Sequence, residues 1–169
     1  MPTFSPLLPP EAFHLQAAIG WLALANVKEA RAELEQLSAA HREHPDVLES
    51  WWKVFSEEKN WPAAFECGAK LSVLAPNRAT GWIAQAFALH ELKRTREAYE
   101  LLHSVVGRFR EHFVIPYNLA CYQCQLGNKE EALKWLQRAM DAADVKTIRE
   151  MAMDDADLSP LRKEMARLF

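Results

Sequence analysis

The sequence predicts an all-α fold, a solenoid of four helix pairs stacked in series. Three observations carry this. Alanine recurs at Ala30, Ala64, Ala98 and Ala132, each 34 residues after the one before. Within each period the apolar residues recur at helical spacing and do not alternate as in a strand. The chain has only 5 glycines in 169 residues and no alternating run of Val, Ile and Thr to suggest a sheet.

The clearest period is Pro116 to Met140. Tyr117, Leu119, Ala120 and Tyr122 mark a helix that stops at Gly127, where a left-handed residue closes the last turn without a Cβ clash. Asn128 is placed to cap the next helix, and Glu130 and Glu131 sit in its first turn, where the helix dipole favours negative charge. Ala132, Trp135, Leu136 and Ala139 form its apolar face. Two helices this short cannot bury that much apolar surface against each other, so the unit needs neighbours.

Other columns keep the alanine register. Four residues after each alanine stand Leu34, Gly68, Leu102 and Leu136. Twelve before stand Ala18, Trp52, Ala86 and Ala120, and nine before stand Trp21, Phe55, Leu89 and Gln123. Pro76 closes one period. The set resembles the tetratricopeptide repeat over about Glu11 to Ala143. The resemblance implies a right-handed alpha-alpha superhelix whose first helices line a concave groove. Two positions depart from the pattern: the second unit has Trp52 in the small column and Gly68 in the large one. This reads as a volume swap, with the indole filling the space the missing side chain leaves.

The elements follow in order. Residues 1–10 carry four prolines and read as an extended tail, or as a segment that occupies a groove. Helix pairs are expected over Glu11–Leu24 and Lys28–His41, then His44–Glu57 and Trp61–Ala75, with Asn60 as a cap. Arg78–Leu92 and Thr95–Phe109 make the third pair, and the fourth starts at His112 or Phe113. Four repeats therefore span 11–143. Residues 144–169 supply a helical C-terminal cap, with Val145–Met153 and Leu161–Phe169 as its helices.

Composition excludes several classes. A net charge of −3 and a pI near 6.1 provide no general basic face for nucleic acid or anionic lipid. The three cysteines, Cys67, Cys121 and Cys124, make no disulfide framework and suit a reducing compartment. No signal peptide is evident, and the apolar run Ala12–Ala25 is too short and too polar to span a bilayer. A cytoplasmic protein is expected. No phosphate loop or nucleophile elbow is present, so no enzymatic activity is expected. Asp155-x-Asp157-x-Ser159 begins like a calcium loop but has Pro160 where the turn glycine belongs.

The resemblance also implies the lining of the groove. The first unit contributes Leu15, Gln16 and Ile19, and the second Glu49 and Lys53. The third contributes Ile83, Phe87 and His90, and the fourth Tyr117, Asn118 and Cys121. Such a surface suits a protein or peptide partner with apolar anchors, held by a non-catalytic adaptor or chaperone-like assembly factor. Lys53 between Glu49 and Glu57 argues against a receptor for C-terminal carboxylates. One alternative is a self-associating subunit whose groove is filled by the N-terminal segment or by a second copy. Another is a metal- or thiol-dependent activity at His90, Cys121 and Cys124. The cysteines fall mid-helix, away from the helix start that activates thiols, and lack a second ligand pair, so no cofactor or metal is expected.

Overall fold

The structure, a computed structural model, describes residues 4–168. All regular elements among them are helical. The chain divides into two compact units, the first ending at Ala88 and the second beginning at Leu89. The first holds α1 (Glu11–Ala23), α2 (Val27–Glu35), α3 (Pro45–Glu57), α4 (Trp61–Leu74) and most of α5 (Ala79–Glu91). The second holds α6 (Thr95–Val105), α7 (Val114–Gln125), α8 (Lys129–Asp141), α9 (Val145–Asp154), a 3-10 turn over Ala156–Leu161, and α10 (Arg162–Leu168).

The period is written into the backbone at the corner of each helix pair. Ala25, Lys59, Lys93 and Gly127, spaced 34 apart, have φ of 55°, 55°, 64° and 84°. The residue after each donates its N–H back to the carbonyl five residues earlier: Asn26 to Trp21 at 2.9 Å, Asn60 to Phe55 at 2.8 Å, Arg94 to Leu89 at 2.9 Å and Asn128 to Gln123 at 2.9 Å. This closure satisfies carbonyls that the helix end would orphan, and it needs one left-handed residue. Only the fourth corner uses glycine, so only that one was visible in the sequence. Three corners place a side chain where its Cβ crowds the backbone.

The residue after the corner is the cap of the second helix. Asn26 accepts from the Glu29 N–H at 3.3 Å and Asn60 from the Ala63 N–H at 3.4 Å. Asn128 occupies the cap position but does not cap; its amide donates to the Gln123 side chain at 2.7 Å. A partner across the corner competes for the side chain that would otherwise turn to the helix.

The four register alanines are fully buried. In the first unit Leu15, Ala18, Ala30, Leu34, Leu37, Val47 and Val54 form one cluster, with Leu7 and Trp21 packed against it. A second cluster, Leu48, Cys67 and Leu71, is covered by Trp51, Trp52 and Phe55.

Gly68 overturns the volume-swap expectation. A Cβ on Gly68 would stand 2.5 Å from the Gln85 amide nitrogen and 2.8 Å from its Cα. On the facing helix a Cβ on Gly81 would stand 2.6 Å from the Ser72 nitrogen. The two glycines let the backbones of α4 and α5 meet, so the space is filled by main chain and not by the indole. Trp52 packs instead on the cluster of Leu48, Cys67 and Leu71.

Some helix ends differ from expectation. α2 stops at Glu35, and Ala39–His41 form a separate 3-10 turn. The break lets Leu37 enter the core, where it is 1% exposed. α6 stops at Val105 and continues as a 3-10 turn over Val106–Arg108. The expected last helix begins one residue later than Leu161, and its end at Phe169 lies outside the described residues.

Candidate functional site

In the second unit, α7 presents Tyr117, Cys121 and Gln125 four residues apart, along one stripe of the helix. An acidic turn follows α9, whose first turn is capped by Asp144 through the Thr147 N–H at 3.0 Å. Asp155 ends α9 and accepts the Asp157 N–H at 2.9 Å, which fixes both carboxylates in one tight turn. The turn lies against the α7 stripe. Tyr117 donates its hydroxyl to Asp155 at 2.9 Å, and the Cys121 thiol approaches the same oxygen at 3.4 Å. Gln125 donates to the Asp157 carbonyl at 2.8 Å.

His90, at the end of α5, joins this cluster. Its Nε2 lies 2.9 Å from the Asp157 carboxylate and its Nδ1 3.0 Å from the Thr95 hydroxyl. With Nε2–H donating to the carboxylate, a neutral ring accepts the Thr95 proton at Nδ1. Lys129 adds a bond to the Pro160 carbonyl at 2.7 Å and an ion pair with Glu164 at 3.7 Å. Beneath these polar contacts Leu158, Leu161 and Met165 are fully buried. Each such side chain contributes roughly 1.5–3 kcal/mol on burial, so the tail is held by its apolar residues and oriented by its carboxylates.

The thiols are poor nucleophiles. Burial, then the Asp155 charge, pushes the Cys121 thiol well above its ordinary value of 9.0. Burial also raises Cys124, and it raises Cys67 to about 11. The same causes raise Tyr117, burial foremost, with the neighbouring Cys121 and Asp155 adding to it. Both ring nitrogens of His90 already have partners, and among the described residues no group of three His, Cys, Asp or Glu could hold a metal ion.

The expected lining residues therefore sit in different surroundings. Of those in the second unit, His90, Tyr117 and Cys121 are buried and engaged by the acidic turn, and Asn118 is half-buried. In the first unit Leu15 belongs to the core cluster. Gln16, Ile19 and Lys53 are exposed, while Glu49, Ile83 and Phe87 are half-buried. Lys53 stands 4.0 Å from Glu49, and Phe87 meets Trp61 edge to face at 5.7 Å. The N-terminal segment turns onto α3: the Ser5 carbonyl lies 3.2 Å from His44 Nε2, and Phe4 packs edge-on against the same ring. The helix break at the acidic turn was legible in the sequence. That its carboxylates reach the expected lining residues was not, since no local spacing links residues 38 apart such as Tyr117 and Asp155.

No protein-family profile matches the chain, and no match is found among curated proteins. Solved structures do match. TTC0263, a thermophilic TPR protein of Thermus thermophilus, superposes with a TM-score of 0.75 at 19% identity, over 94% of this chain and 84% of that one. YrrB, described as a TPR protein with an unusual peptide-binding site, gives 0.70 at 18% identity, over 86% and 75%. MamA from residue 41 onward of Desulfovibrio magneticus RS-1 gives 0.71 at 16% identity, over 96% and 94%. The chain has the tetratricopeptide-repeat fold, an all-α helical solenoid. Among the described residues no helix is long and apolar enough to cross a membrane.

Proposed function

We propose that this protein is a non-catalytic interaction scaffold that holds a segment of a protein partner along the first helices of its repeats. The observation that carries this is the tail of the chain itself. Tyr117, Cys121, Gln125 and His90, all on first helices, already hold a short acidic segment by side-chain hydrogen bonds. First-helix side chains of this protein can thus hold a short segment by hydrogen bonds. In the second unit that capacity is taken by the tail. In the first unit Lys53 is exposed and Glu49, Ile83 and Phe87 are half-buried, so we assign partner recognition to these four. Their mixture of apolar and charged groups suits an extended or helical segment with apolar anchors. The likeness to YrrB supports the reading by fold analogy only.

The test is capture from native extract with mass-spectrometric readout, wild type beside Lys53→Glu/Ile83→Glu. A protein held by wild type and lost by the variant, with the helical circular dichroism of the two equal, supports the reading. Equal capture by both, or none by wild type, refutes recognition at these residues. The raised thiols argue against a thiol-dependent activity at Cys121 and Cys124.

A further inference from the structure

α1 is two-faced in burial but not in chemistry. Leu15 and Ala18 face the core. The opposite face exposes Phe13, Gln16, Ile19, Gly20 and Ala23, with Leu24 just past the helix end. Phe13 is 68% and Leu24 72% exposed. From Ala12 to Val27 the chain has no Asp, Glu, Lys or Arg, whereas α2, α6 and α8 expose charged faces.

Gly20 adds an independent observation. Glycine inside a helix is destabilising and needs a reason. Gly68 and Gly81 have one, since facing backbone would collide with a Cβ at each. At Gly20 nothing lies within 4 Å of such a Cβ. The chain's own packing does not call for this glycine; close approach of another backbone would.

The exposed stripe identifies that backbone. Phe13, Ala17, Gly20 and Leu24 are spaced 4, 3 and 4, a pattern that reads the same in both directions. A second α1 laid antiparallel across a two-fold axis sets Phe13 over the partner copy's Leu24 position and Ala17 over its Gly20 position. Small residues then meet at the centre, where the axes approach, and large ones close the two ends. The face carries no charge, so apposing it to itself creates no like-charge repulsion. A membrane surface is a poor alternative, because an interfacial helix needs basic residues on its polar edge and α1 has none.

We propose that the outer face of α1 is a self-association surface, occupied by α1 of a second copy in an antiparallel, two-fold pairing. A pairing through one helix from each copy is small beside specific interfaces in general, so the dimer is reversible.

The test is light scattering on the full chain across a concentration series up to about 100 µM, which populates a dimer of micromolar Kd. The expected result is a mass rising from 19.3 kDa towards twice that value. Gly20→Glu and Phe13→Glu place charge on exposed positions and should hold the mass at the monomer, with thermal unfolding still cooperative. Gly20→Cys should form a disulfide-linked dimer on mild oxidation, against little background because Cys67, Cys121 and Cys124 are buried. Monomeric wild type throughout the series, or a dimer that survives Gly20→Glu, would overturn the proposal. Lys53→Glu/Ile83→Glu should leave the mass unchanged, so failure of this proposal and failure of segment recognition read out separately.

Discussion

Gly68 faces the main chain of Gln85 with no room for a side chain: a Cβ there would stand 2.5 Å from the Gln85 amide nitrogen. Real Cβ atoms do not come this close, so α4 and α5 would have to part. Gly68→Ala and Gly81→Ala are each expected to lower stability by about 2–4 kcal/mol in urea melts. Gly20→Ala, with open space at its Cβ within the single chain, should instead raise stability by about 0.5–1 kcal/mol at dilutions where the protein is monomeric. Equal effects at Gly20 and Gly68 would show that helix propensity, not backbone contact, sets the cost.

The left-handed corners predict stabilising changes. Lys59 and Lys93 adopt φ of 55° and 64°, a region that glycine enters without strain. Lys59→Gly and Lys93→Gly should each gain up to about 1 kcal/mol, while Gly127→Ala should lose about 1 kcal/mol or more. The check is the shift of the urea midpoint at constant slope.

The acidic turn predicts energetic coupling between residues far apart in sequence. Tyr117 and Asp155 share a hydrogen bond at 2.9 Å with one partner a carboxylate. A double-mutant cycle of Tyr117→Phe and Asp155→Ala should give a coupling of about 1.5–3 kcal/mol. Hydrogen exchange of α7 amides should speed up in both single variants. A coupling near zero would mean that Leu158, Leu161 and Met165 hold the tail without help.

Arg31 and Glu58 predict a pH dependence. Arg31 donates from Nε to Glu58 at 2.8 Å and makes a second bond to the other carboxylate oxygen. The bonds from Arg31 hold Glu58 below its ordinary value of 4.5. A lowered carboxylate stabilises the fold above its unfolded-chain value and loses that contribution as pH falls through the folded one. Glu58→Gln should therefore destabilise at pH 7 and become neutral once the pH is well below 4.5. A cost that persists in acid would assign the effect to packing of the Arg31 stem on Trp51 and Phe55.

The cysteines predict slow chemistry. All three are buried, and burial raises each thiol. In the native state at pH 8 a thiol reagent should label them far more slowly than in denaturant. Fast labelling of one thiol in the folded protein would mark a site that opens.

What the sequence determined by itself was the period. The 34-residue spacing of Ala30, Ala64, Ala98 and Ala132 is a local pattern, and each of these alanines is buried as that pattern requires. Gly127 was legible as a corner because glycine advertises a left-handed turn. Ala25, Lys59 and Lys93 were not, because the closure of the helix end sets the same φ on residues with no preference for it. Only the tertiary structure decided why Gly68 is glycine and where Asp155 and Asp157 point. Both depend on which backbone or side chain arrives from a distant part of the chain. Spacing along one helix fixes which residues share a face, but contact between faces is settled by packing, which the sequence pattern does not encode locally.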